Sequence, residues 1–250
     1  MPEFNDPDRD EPDPSGEALQ RTASDDDTAA PQVETPIPFR QWLRQGKWLA
    51  GLVGGMIAAP VGIVLHELGH FAVNVVYGFP DTVLRYASVS WTGSSEFRRL
   101  WRAGDVEAAA AIAEPWQVAL SAAAGPMVSY LTVIAFVFWV RKYGPGPLSL
   151  VLGSGFVAPL QGGAAIPVIA MDLFGGGFTG NQDEANFAAI AGIPPSLAVL
   201  PGLICLVLGY WFLVTAFPRG QRLRSVGPPL LGVPLGIALW ASVLGPLVLP

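Results

Sequence analysis

Charged side chains are scarce: Asp, Glu, Lys and Arg make up only 14% of the 250 residues, and eleven of the twenty acids crowd into the first 35. That stretch holds two bases, Arg9 and Arg21, and is net −9; the whole chain is −6, so residues 36–250 carry net +3. The acidic balance therefore describes the tail and not the rest of the chain. There is a single cysteine, Cys205, inside an apolar run, which excludes a disulfide framework and reads as a small buried hydrophobe. No basic tract suggests nucleic-acid binding. The N-terminus lacks a basic segment followed by an early apolar stretch, so no cleavable signal peptide is recognised and insertion is expected to use the first spanning segment. The tail is rich in Pro, Asp and Ser and nearly devoid of large apolar residues, too little to bury a core. Residues 1–36 are read as a disordered, solvated spacer and residues 37–250 as the folded domain.

Apolar residues, by contrast, make up 51% of the chain, and the mean hydropathy is +0.44. Five stretches approach or exceed the roughly 20 residues needed to cross hydrocarbon as a helix: about Trp48–Tyr77, Gln117–Val140, Pro147–Ala170, Ser196–Phe217 and Pro228–Leu249. In lipid the backbone must satisfy its own hydrogen bonds, so these are expected to be helices. The fold class is an all-α polytopic membrane protein, a bundle of about five transmembrane helices. Gly51, Gly54 and Gly55 in the first, Ala122 to Gly125 in the second, and Gly153, Gly155, Gly162 and Gly163 in the third allow close helix approach. Pro126, Pro159 and Pro167 are expected to kink or break their helices. A broken third span would line a site and not face lipid.

The longest polar connection is residues 80–116. Thr82 to Trp91 is rich in β-branched and aromatic residues and is expected to be a strand-like segment after the first helix. Residues 96–114 are amphipathic, with Phe97, Leu100 and Trp101 beside Arg98, Arg99 and Arg102, and read as an interfacial helix. Arg40, Arg44, Lys47, Arg141, Lys142, Arg219, Arg222 and Arg224 all fall on one side of the bilayer, which favours a cytoplasmic N-terminus. Opposing them are Arg85, Arg98, Arg99 and Arg102.

The two histidines of the chain, His66 and His70, are four residues apart in His66-Glu67-Leu68-Gly69-His70. On a helix they share one face, one turn apart, a spacing that lets two imidazoles bind one Zn²⁺. Glu67 can accept a proton from a water that zinc has acidified to a pKa of roughly 7. Glu67 also interrupts an otherwise uncharged run from Trp48 to Tyr77 with no Lys or Arg to pair with it. An ionisable group there costs about 2.5–3.5 kcal/mol on insertion scales and marks a functional site by default. A catalytic zinc site has three protein ligands. With both histidines used, the third is sought among Asp172, Asp183, Glu184 and Cys205. Asp183 opens a helix-like segment, Asp183-Glu184-Ala185-Asn186-Phe187-Ala188, that stops before Gly192-Ile193-Pro194-Pro195. Asp183 has a bland reading as a capping or dipole-favoured residue of a first helical turn, and Asp172 as a solvated helix end; Asp183 is favoured as the ligand over Asp172 and Glu184.

The chain resembles the site-2 protease family of intramembrane zinc metalloproteases over about residues 48–217. The resemblance rests on the pentapeptide in an apolar helix followed by a strand-like segment, on Ala124-Gly125-Pro126 in the next span, which is similar to the family's Gly-Pro element, and on Asp183 ahead of the next helical pair. Glu184 follows Asp183 where the family usually has Asp-Gly, no Asn-Pro element is recognisable although Ile166-Pro167 lies nearby, and no PDZ-like domain is inserted. The resemblance implies one Zn²⁺ per chain held by His66, His70 and Asp183, Glu67 as catalytic base, Asn181 as a possible polar contact, and a membrane-protein substrate cut within the bilayer. A transmembrane substrate must unwind first, and the segment at 82–91 is expected to pair with it by adding a strand.

Overall fold

The uncharged run ahead of the pentapeptide forms a long helix, α1 (Lys47–Val76), in which the helix continues through Pro60. A computed structural model describes residues 46–144, 162, 165, 168–170, 174 and 182–249. After α1 come β1 (Val83–Arg85), β2 (Ser88–Ser90), α2 (Ser94–Arg102), α3 (Val106–Ala110), α4 (Pro115–Tyr143), α5 (Asp183–Ala191) and α6 (Pro195–Thr215). A 3₁₀ turn (Arg219–Gln221) then leads into α7 (Arg222–Leu239), a π-helical turn (Trp240–Leu244) and α8 (Gly245–Val248). The acidic tail lies outside the described residues, as do Asp172, Asn181, Pro159, Pro167 and most of the expected third span, of which Gly162, Ala165 and Val168–Ala170 are helical.

Among the described residues, four helical stretches are long and apolar enough to cross a membrane: Trp48–Val76, Pro115–Tyr143, Pro195–Thr215 and Arg219–Val248. They correspond to the first, second, fourth and fifth expected spans. At 1.5 Å per residue the 29 residues of α4 extend roughly 43 Å, more than the ~30 Å hydrocarbon layer. Large apolar side chains point outward along them, including Phe138, Trp211 and Leu231, each about two-thirds exposed. Such faces are a liability in water and at home among lipid tails.

Glycines set the closeness of the helix pair α1–α7. A Cβ on Gly51 would meet Pro228 and Pro229 at 3.1 Å, and Cβ atoms on Gly55, Gly232 and Gly236 would collide with backbone carbonyls of the opposite helix. This is small-residue packing of the kind that holds helices together where no hydrophobic driving force exists. A core of Ala59, Phe136, Val140, Leu213, Phe217, Val226 and Val233 ties α1, α4, α6 and α7 together.

Several expectations are corrected. The segment at 82–91 is a hairpin and not one strand, with Val83 paired to Ser90, Leu84 to Val89 and Arg85 to Ser88. Its turn, Tyr86-Ala87, has no residue at positive φ and no Gly or Asn to announce it. The turn is held from outside: Tyr86 N–H donates to the Leu249 carbonyl at 3.1 Å, and the Trp240 indole donates to the Tyr86 carbonyl at 2.8 Å. The helix expected over 96–114 is two helices, because Gly104 (φ 81°) ends α2 and the Asp105 side chain caps α3 through Ala108 N–H. The apolar face of α2 is covered by protein: Phe97 is fully buried in a cluster with Phe79, Trp91 and Ala109. Pro126 does not break α4, which runs unbroken from 115 to 143. The last span begins at Arg219, earlier than Pro228, because Pro228, Pro229 and Pro234 are absorbed inside α7. Cys205 is half-buried, on the α4-facing side of α6.

Candidate metal centre

α1 carries His66 and His70 on one face, and α4 passes it antiparallel with Ser121, Gly125 and Ser129, spaced four apart, turned toward the rings. Gly69 makes the approach possible: a Cβ there would meet the Ala124 carbonyl oxygen at 2.6 Å. Gly125 lies opposite the two imidazoles, and a Cβ on it would sit 2.7 Å from His66 Nε2 and overlap His70 Nε2. The Ala124-Gly125-Pro126 element thus owes its glycine to the space in front of the histidine nitrogens.

Asp183 reaches the same point from the first turn of α5, whose end at Gly192 (φ 67°) matches the expected stop. Its Oδ2 lies 3.0 Å from His66 Nε2 and 3.2 Å from His70 Nε2, and the two Nε2 atoms are 3.1 Å apart. One ligand-type atom from each residue therefore falls within a 4.8 Å group. The outer nitrogens are occupied: His70 Nδ1–H donates to the Ser121 carbonyl at 2.6 Å, and His66 Nδ1 faces Ser129 Oγ at 3.0 Å. Hydrogen bonds at Nδ1 leave the Nε2 lone pairs free, the arrangement that supports a metal-binding histidine. Three ligand-type atoms this close together could hold a metal ion between them. Zinc–ligand distances of about 2.0–2.1 Å imply a tetrahedral edge of roughly 3.3–3.4 Å, close to the observed separations. Burial raises the Asp183 carboxyl, and hydrogen bonds and charge from His66 and His70, when these rings carry protons at Nε2, hold it below the ordinary carboxylate range.

The donor set could hold a metal ion and fits zinc in type and number; its donors come from two helices, α1 and α5, with α4 behind the rings. Glu67 is buried beside them and, among the described residues, makes no ion pair. It faces a cavity of about 370 Å³ that His70, Asp183, Asn74, Ser88, Val89 and Arg98 also line. Glu184 points elsewhere, accepting a hydrogen bond from the Tyr130 hydroxyl at 3.2 Å and tying α5 to α4.

No match exists among protein-family models, curated proteins or solved structures. The function therefore rests on the geometry of the site alone.

Of the expected site residues, His66, Glu67, His70 and Asp183 are brought together, Glu184 is set aside, and Asp172 and Asn181 lie outside the described residues. Ser121 and Ser129 were not expected. Ser129 leaves a trace as a hydroxyl residue four positions after Gly125 in an apolar span, whereas Ser121 acts through its backbone carbonyl, which no side chain announces. Ser129→Ala removes the group behind His66 and is expected to weaken zinc binding by about 10-fold or more, the effect of losing a ligand's supporting hydrogen bond. A competition titration with a metal-sensitive dye measures it; unaltered affinity would mean that Ser129 does not support the ring.

Proposed function

We propose that this chain is an intramembrane zinc metalloprotease that cuts transmembrane segments of other proteins, with its N-terminal tail on the cytoplasmic side of the cell membrane. The observation that carries the reading is the convergence of His66, His70 and Asp183 beside Glu67, on helices long and apolar enough to span a bilayer. A bound zinc ion supplies Lewis acidity toward a carbonyl oxygen and lowers the pKa of a water to roughly 7. Glu67 accepts the proton from the attacking water. As the water oxygen joins the carbonyl carbon and the C–N bond breaks, Glu67 delivers that proton to the departing amine nitrogen. Ser121 and Ser129 hold the imidazoles in register throughout.

A helical substrate shields its peptide bonds and must present an extended stretch to the site. β2 borders the cavity through Ser88 and Val89. Hydrogen-bonded and free pairs alternate along an antiparallel ladder. With Arg85 and Ser88 closing the turn, Val89 is the residue whose N–H and C=O face away from β1 and can receive an added strand. Val89→Pro removes that donor without touching the β1–β2 bonds and is expected to lower cleavage about tenfold while zinc stays bound. Cleavage at the native rate would reject strand addition at this edge. The proteolytic reading itself is tested by Glu67→Gln, taken up in the Discussion.

A further inference from the structure

Two polar groups in the cavity have no role in the metal chemistry. Asn74 lies on α1 one turn beyond His70 and is only 2% exposed. Its backbone carbonyl accepts a hydrogen bond from Phe79 N–H at 2.9 Å, yet its side-chain Oδ1 has no hydrogen-bond partner. Buried amide oxygens are nearly always satisfied, so an orphan acceptor on a residue that lines a cavity leaves room for a donor brought by a ligand. Arg98 lines another wall, on α2, half-buried and one turn from Arg102. Arg102 donates to Asn186 Oδ1 at 3.3 Å, and the neighbouring Glu96 is taken by Arg99 at 2.6 Å. Among the described residues Arg98 forms no ion pair. Asp183, across the same cavity, is the acid whose charge reaches it, and it lies beyond ion-pair distance, so the half-buried guanidinium has no carboxylate in contact with it.

We propose that this cavity is a substrate subsite for an extended peptide bearing an acidic side chain, with Asn74 Oδ1 accepting a substrate backbone N–H and Arg98 binding the carboxylate. The proposal rests on the proteolytic reading and adds to it a substrate class. Four helical residues advance about 6 Å, the length of roughly two residues of extended chain, so Asn74 meets the backbone about two residues from the bond facing His70. A cavity of about 370 Å³ is near the lower end of ligand-pocket sizes and suits a few residues of peptide. A lipid phosphate would offer oxygens to Arg98 but no backbone N–H about two residues from a peptide bond facing His70, which favours the peptide.

The test uses the full-length chain with zinc bound, in two forms. Glu67→Gln is photo-crosslinked to synthetic transmembrane peptides with a glycine-rich break and one Glu, Gln or Lys stepped along the break; the native chain is assayed for cutting the same peptides. At one or two positions the Glu peptide is expected to be captured about tenfold better than the Gln peptide, as a charge-assisted hydrogen bond provides. Adding Arg98→Glu should reverse the order in favour of Lys, a reversal that itself shows the variant folds, and Arg98→Gln should abolish the Glu-over-Gln preference. Asn74→Leu should weaken capture of all three peptides alike while zinc content holds. Equal capture of Glu, Gln and Lys peptides at every position overturns the subsite, even if all are cut. So does displacement of every peptide from Arg98 by vesicles of phosphatidylglycerol. Acid-preferring capture without any cutting by the native chain upholds the subsite and overturns the protease reading.

Discussion

Replacing Glu67 with Gln is expected to lower cleavage by roughly 10²–10⁴-fold, the usual worth of a positioned acid–base group, with zinc still bound at one ion per chain. The substitution is nearly isosteric. It leaves His66, His70 and Asp183 untouched, so metal binding and reaction separate cleanly. Gln cannot take a proton from water or return it to the amine. The reading is directional: loss of cleavage together with loss of zinc would assign Glu67 to the structure of the site, and full cleavage would remove it from the mechanism. The membrane setting adds weight, because Glu67 is buried in a span of mean hydropathy 2.0, and a carboxyl there has no evident structural use.

Gly125→Ala is expected to empty the metal site. One added methyl would sit 2.7 Å from His66 Nε2 and overlap His70 Nε2, in the space the nitrogens' lone pairs face. α4 cannot easily back away, since Ser121 and Ser129 on either side of Gly125 are hydrogen-bonded to the same two rings. Zinc affinity should fall by at least about 10–100-fold, the range seen when a site's support is disturbed, and cleavage should fall with it. Gly227→Ala is the matched control: it lies inside α7, where an added Cβ would meet only Leu223 Cδ1, 4.0 Å away, among the described residues, and should change neither. Equal zinc content in native and Gly125→Ala protein, read by elemental analysis, would contradict the placement of the metal between the rings and α4.

The parts legible in the sequence share a physical basis. Span lengths follow from apolar runs that the bilayer makes obligatory, and the shared face of His66 and His70 follows from helical spacing within one segment. Asp183 was reachable because few acids follow the first connection and because a helix start places it in a first turn. What remained hidden depends on contacts between distant segments. The Tyr86-Ala87 turn carries no turn residue and is pinned by Trp240 and Leu249 from the other end of the chain. Ser121 and Ser129 are ordinary hydroxyl residues until α4 lies against α1. Gly125 resembled helix-packing glycines, and only its position opposite two imidazoles distinguishes it. Arg98 looked like the polar edge of an interfacial helix, and becomes a cavity group once Phe97 is buried against Trp91 and Phe79.

The central claim is that His66, His70 and Asp183 together hold one zinc ion. X-ray absorption at the zinc edge of the purified full-length protein tests it most directly. The account predicts a shell of nitrogen and oxygen at about 2.0–2.1 Å, with outer-shell scattering from two imidazoles, one of which disappears in His70→Ala. A sulfur shell at about 2.3 Å, which only Cys205 or a methionine could provide, or protein that retains no zinc at all, would contradict it.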